Sequence, residues 1–226
     1  MLKLKKREWL LLAISVISIA VSFFIFDGKN YFTLVASIVG AVSLIFNAKG
    51  NPTGQILMIV FSVMYGIISY ACAYYGEMIT YLGMTLPMAA FALVAWLRHP
   101  HNGNRAEVEV NTLKTRELIF AFFLTMLVTS AFYFILKALG TANLLPSTIS
   151  VATSFAAAYL TFRRSPYFAL AYAMNDAVLI VLWIMANINY GGYISVIVCF
   201  IVFFVNDLYG FINWLIMRSA QRTTKR

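Results

Sequence analysis

Two Asn-Asp pairs, Asn175-Asp176 and Asn206-Asp207, sit near the middle of apolar runs long enough to cross a lipid bilayer, and they read as the only acids so deep in the chain. A carboxylate at that depth costs roughly 2.5 to 3.5 kcal/mol even on the lenient insertion scale, so each needs a partner, a wet cavity or a ligand. Around the first pair, Tyr172, Asn175, Asp176, Leu179 and Trp183 recur at helical spacing and project from one face. Around the second, Asn206, Tyr209, Gly210 and Asn213 form a stripe, with Asp207, Phe211 and Trp214 on its flank. Facing one another, the two stripes would offer carboxylates and amides to sugar hydroxyls or a carboxamide, and an indole face for stacking. A cationic ring over Trp183 would gain of order 0.5 to 2 kcal/mol. The competing expectation is that these groups only tie helices together, at about 0.6 kcal/mol per bond in a membrane. Asn175, Asp176 and Trp183 are the first candidates for ligand contact, followed by Asn206 and Tyr209, then Asp207, Tyr172 and Asn213.

The elements that must position these residues follow from composition. The 226 residues are 62% apolar and 11% charged, which excludes an ordinary soluble domain and a disordered chain. A membrane helix needs roughly 20 apolar residues. Eight such spans fit, at about 9–26, 31–48, 53–74, 78–97, 118–139, 143–162, 165–186 and 191–217. The net charge of +9 is explained by topology and not by nucleic acid: with the N-terminus inside, all of the 17 Lys and Arg except Lys29 and Lys137 fall on the inner side. Both termini are therefore expected in the cytoplasm. Lys49 and Arg163-Arg164 read as inner-loop anchors, and Trp9, Trp96 and Trp214 as interfacial belt residues.

The basic N-terminus followed by Leu10 to Phe26 imitates a secretory signal, but the apolar run is long and leaves through Phe23-Phe24-Ile25-Phe26-Asp27 without a small-x-small site, so cleavage is not expected. Cys72 and Cys199 fall within spans and read as small apolar residues. His99 and His101 lie in a polar loop and read as solvated. No metal site, cofactor or nucleotide-binding Gly-rich loop is indicated.

The chain also repeats itself. Residues 31–98 run apolar helix, Lys49, a helix after Pro52, Tyr75-Gly76, then a helix closing at Trp96 and Arg98. Residues 143–218 run apolar helix, Arg163-Arg164, a helix after Pro166, Tyr190 to Gly192, then a helix closing at Trp214 and Arg218. Three helices cannot return a copy to the same side, so one linking helix must intervene. The expected architecture is all-α: an extra leading helix (1–30), a first bundle (31–98), a polar loop and linker helix (99–142), a second bundle (143–218) and a tail (219–226). The first copy has Val63-Met64 and Met88-Ala89 where the second has Asn-Asp, so the site should be lopsided. Pro87 within the fourth span would free a carbonyl and permit bending. Small residues Ala36 and Gly40, or Ser154 and Ala158, could pack subunits together or pack one subunit internally.

Tyr75-Gly76-Glu77 before a helix with Pro87 and Trp96, Asn175-Asp176 with Trp183, and Asn206-Asp207-Leu208-Tyr209-Gly210 with Asn213-Trp214 together resemble the bacterial Pnu-type vitamin transporters, over about 31–217. The resemblance implies a 3+1+3 fold related to the SWEET sugar transporters, a trimer in the bacterial inner membrane, and facilitated diffusion drawn inward by a cytosolic kinase that phosphorylates the vitamin. It implies nicotinamide riboside as substrate, with thiamin or riboflavin carried by other members; the paired acids suit a cationic ring better than neutral riboflavin. A substrate-binding subunit of an ATP-driven importer is the alternative that the residues leave open. An intramembrane aspartyl protease would need a Gly-x-Gly-Asp that is missing, and a retinal protein would need a Lys in the last span, which has none.

Overall fold

Each long apolar run becomes one helix, because in a lipid environment the backbone must satisfy its own hydrogen bonds. The computed structural model describes residues 4–71, 75–141 and 143–224. Cys72 and the last residues of the third predicted span lie outside them. The elements are α1 (Lys6–Phe26), α2 (Tyr31–Ala48), α3 (Thr53–Ala71), α4 (Tyr75–Thr80), a π-helical turn (Tyr81–Thr85), α5 (Leu86–Arg98), the hairpin strands β1 (Pro100–His101) and β2 (Asn104–Val108), α6 (Thr115–Ala138), α7 (Leu144–Phe162), α8 (Tyr167–Tyr190) and α9 (Ile194–Thr224). Among the described residues, eight helices are long and apolar enough to cross a membrane, with α4, the π turn and α5 forming one of them.

The first helix of each triplet packs against the last helix of the other: α2 on α9, and α5 on α7. Within the triplets, α2 packs on α3, α7 on α8 and α8 on α9, while α1 lies against α2 and α9. The linker α6 touches α7 and leaves Phe122, Phe123, Leu127 and Phe134 exposed. Ala36, Ser154 and Ala158 are buried within the subunit, and a Cβ added at Gly40 would stand 2.5 Å from Phe203, so these small residues serve internal packing.

Pro87 acts as its position suggests. A proline cannot donate to the carbonyl one turn back, and the helix accommodates it through the π turn just upstream, where the Leu86 amide bonds to the Tyr81 carbonyl. Opposite this turn, Gly66 of α3 comes so close that a Cβ would sit 2.6 Å from Leu82.

Three expectations need correction. Trp96 and Trp214 are not belt residues: at 1% and 0% exposure their rings lie 5.4 Å apart, with Phe168 edge-on to both. Their indole N–H groups donate to the carbonyls of Thr161 (2.9 Å) and Asn47 (2.7 Å), tying α5 to α7 and α9 to α2. An indole with a backbone acceptor in reach loses nothing by burial. Trp9, by contrast, is exposed. The polar loop after Arg98 is not irregular throughout, since β1 and β2 pair as a hairpin within it. Its hairpin is fastened where Val108 N bonds to Gly50 O, Asn51 to the Ala106 carbonyl, and Asn111 to the Arg163 carbonyl. Finally, residues expected in a tail continue α9, and Gln221 bonds to Glu107, Val108 and Val110.

Candidate functional site

Adjacent positions on a helix point about 100° apart, and the first Asn-Asp pair uses that angle to serve two seams. Asn175 turns toward α7, where its Oδ1 accepts from the hydroxyls of Ser150 (3.1 Å) and Thr153 (2.9 Å). Asp176 turns toward α9, where its carboxyl lies within hydrogen-bonding reach of Asp207. Both acids are 4% exposed, and Asp176 Oδ2 has no hydrogen-bond partner among the described residues. Like charges so close repel, so a shared proton or a positive guest suits the pair. Tyr172, one turn before Asp176, bonds to Thr161 and lies in the field of both acids. Trp183 is buried in a core cluster that also holds Leu179, Cys199 and Phe203, with Tyr193 at 5.0 Å between ring centres.

The second stripe is divided, which corrects the expectation that it faces the first. Asn206 turns to α1, donating to Ser15 Oγ (2.9 Å) and back to the Val202 carbonyl (2.8 Å). Tyr209 donates to Glu8 Oε1 at 3.3 Å. Asn213 caps the end of α2 through the Ala48 carbonyl at 2.7 Å. Gly210 sits beside Ala48 and Ala169, where α2, α8 and α9 converge. Thus Asn175, Asp176, Tyr172, Trp183 and Asp207 belong to the centre, while Asn206, Tyr209 and Asn213 hold α9 against α1 and α2. The stripe was drawn at the right spacing but for the wrong neighbour: the extra helix α1 supplies the polar partners, and sequence periodicity does not say which helix a face meets.

Beside Asn175 lies a cavity of about 40 Å³, lined by Glu77, Thr80, Tyr81, Ser147 and Ser150 among others. Glu77 is a further acid beside this cavity, although it lies at the end of the fourth span and not mid-run like the two aspartates. It hydrogen-bonds Tyr65 and buries an Oε2 that has no partner among the described residues. The rings of Tyr65 and Tyr81 lie 4.4 Å apart, and Tyr81 belongs to the π turn. Such turns recur at functional sites because they re-aim side chains. The sequence offered Glu77 only within Tyr75-Gly76-Glu77 before the fourth helix, with nothing to show that its carboxyl turns inward.

Taken together, Asp176 and Asp207 meet between α8 and α9, Glu77 bonds to Tyr65 of α3 beside the cavity that Asn175 also lines, and Tyr81 lies in the field of both Glu77 and Asp176. This constellation can hold a polar guest with positive charge. A cavity of about 40 Å³ has room for water but not for a nucleoside, since ligand pockets run to about 300–1,000 Å³. Admission of a larger guest requires the helices to part. Glu8, also buried, is occupied elsewhere: it pairs with Lys49 at 2.7 Å and closes the α1 capping box.

The chain is 24% identical over 210 residues to the nicotinamide riboside transporter PnuC of Neisseria mucosa, covering 91% of this chain and 79% of that protein. The crystal structure of the vitamin B3 transporter PnuC superposes with a TM-score of 0.84 at 23% identity, over 97% of this chain and 94% of that one. The family described as nicotinamide mononucleotide transporter matches residues 30–216, which include α2 through most of α9 and every central residue named above. This chain is a membrane transporter that belongs to that family.

Proposed function

We propose that the chain carries nicotinamide riboside across the bacterial inner membrane by facilitated diffusion, with both termini cytoplasmic and the vitamin held between the two triplets of helices. The observation that carries this reading is the meeting of Asp176 with Asp207, with Tyr81 in the field of both Glu77 and Asp176 and none of the three acids in a salt bridge among the described residues. Nicotinamide riboside joins a pyridinium cation, a carboxamide and a ribose. The acids match the cation, Asn175 the carboxamide or a hydroxyl, and Trp183 a ring face. The relative named for nicotinamide riboside transport supports the same substrate. Asn175, Asp176, Tyr172, Trp183, Asp207 and Glu77 are the proposed contacts; Asn206, Tyr209 and Asn213 hold the scaffold.

Transport then proceeds as α2–α5 and α7–α9 rock about the bound vitamin, with the π turn beside Pro87 as the place where the fourth span flexes. Phosphorylation by a cytosolic kinase removes the arriving vitamin and keeps the gradient inward, without contact between kinase and transporter. A trimer is the form that the family resemblance implies.

Purified protein alone in liposomes decides the matter. Nicotinamide riboside is expected to bind more tightly than thiamin or riboflavin and to equilibrate without ATP. Tightest binding of thiamin would reassign the vitamin, and uptake that needs an added ATPase would make the chain a binding subunit.

A further inference from the structure

The largest recess described on the molecule is not the central cavity but a groove of about 530 Å³ on the seam between α5 and α7, at the end that carries the hairpin. One wall is apolar, built from Phe91, Val94 and Phe162; Phe91 and Val94 are exposed on the outside of the helix bundle, where lipid chains would lie. The other wall is cationic, built from Arg98, Arg163 and Arg164, with His99 beside them. The acids facing it leave charge over. Glu117 pairs with Arg163, and Glu109 lies near Arg164. Arg98 has no ion-pair partner among the described residues. Arg163 also keeps a buried Nε–H without an acceptor, although its other end meets Glu117. An unpaired guanidinium N–H is unfavourable, and Arg163 is only partly satisfied by Glu117.

We infer that this groove binds an anionic phospholipid, its phosphate held by Arg98 and Arg163 and one acyl chain laid along Phe91, Val94 and Phe162. Arginines that merely anchor helix ends would be spread around the perimeter. Here three converge on one recess that is apolar where it meets the lipid phase and basic where it meets water, the pattern of an anionic-headgroup pocket between membrane helices. Its place gives the lipid a role. The groove spans a contact between the two triplets, so an occupant that bridges α5 and α7 biases the motion that opens the central site.

Native mass spectrometry of the full chain with phosphatidylglycerol and phosphatidylcholine tests the inference, and its readout is independent of which vitamin is carried. Phosphatidylglycerol is expected to remain bound preferentially. Arg98→Gln should weaken its retention about five-fold, as befits one basic residue at an anionic surface, and Phe91→Ser should weaken it too. Arg105→Gln removes the same charge from the exposed hairpin and should leave retention unchanged. Equal retention of both lipids, or equal loss in Arg98→Gln and Arg105→Gln, would overturn the site. Displacement of the lipid by millimolar inorganic phosphate would overturn it as well, in favour of a site for free phosphate.

Discussion

Asp176 on α8 and Asp207 on α9 hold their carboxyl groups within hydrogen-bonding reach of each other at the heart of the second triplet. Two acids in that position are more than packing. A pair of leucines would fill the space at no electrostatic cost, and replacing buried polar partners by apolar groups of similar shape is often neutral or stabilising. Their joint negative potential favours a cation. In Asp176→Asn the amide can still donate to Asp207, so folding should survive while one charge is lost. Nicotinamide riboside binding is expected to weaken about ten-fold, or ~1.4 kcal/mol, in isothermal titration. Unchanged affinity with a normal melting temperature would remove the acids from the site.

Glu77 is expected to behave in the same direction but from the opposite triplet. Glu77→Gln keeps a hydrogen-bond partner for Tyr65 and the volume of the side chain, while removing charge beside Tyr81 and Asn175. Binding of the cationic vitamin should fall by about an order of magnitude, while a neutral analogue reduced at the pyridinium ring should lose little. The two measurements together separate charge recognition from damage to the cavity, because damage would weaken both ligands alike.

The spans could be read from the sequence because lipid imposes one rule on all of them: length and apolarity suffice. The faces could not be read so well. Periodicity put Asn175 and Asp176 on one stripe, yet Asn175 serves the α7 seam and Asp176 the α9 seam; it did show Asp207 leaving the Asn206 stripe. It could not reveal that α1 would cover Asn206 and Tyr209, since the Ser15 and Glu8 that meet them lie nearly two hundred residues away in the chain. Trp96 and Trp214 illustrate the same limit. A tryptophan near a helix end fits a lipid interface and a buried joint equally well, and only the position of the Thr161 and Asn47 carbonyls decides between them.

Those two tryptophans should therefore be costly to change. Trp214→Phe removes one donor from the Asn47 carbonyl, which keeps the Gly50 N–H, and opens space beside Trp96 and Phe168, so a loss of about 1–3 kcal/mol is expected from the lost bond and the cavity together. Trp96→Phe should cost a similar amount through Thr161. Trp9→Phe, at an exposed position, should cost less than about 0.5 kcal/mol. Thermal unfolding of the three variants in one detergent gives the comparison. Equal melting temperatures for all three would contradict the buried joint.

Gly66 offers a test of the π turn itself. A methyl group there would stand 2.6 Å from Leu82 Cγ and Cδ2, and Leu82 belongs to the turn that carries Tyr81. Because Leu82 is partly exposed, its side chain can yield, and overpacking of this kind costs about 1–3 kcal/mol. Gly66→Ala is thus expected to give a folded protein whose fourth span is pushed away from α3, carrying Tyr81 with it and slowing vitamin uptake in liposomes. Leu82→Ala alone removes the obstacle without adding the methyl and should change uptake little. Combined with Gly66→Ala it should restore the rate, because the new methyl then occupies the space that Leu82 has vacated. A double variant as slow as Gly66→Ala would mean that the glycine is needed for something other than this close approach, such as the flexibility of α3.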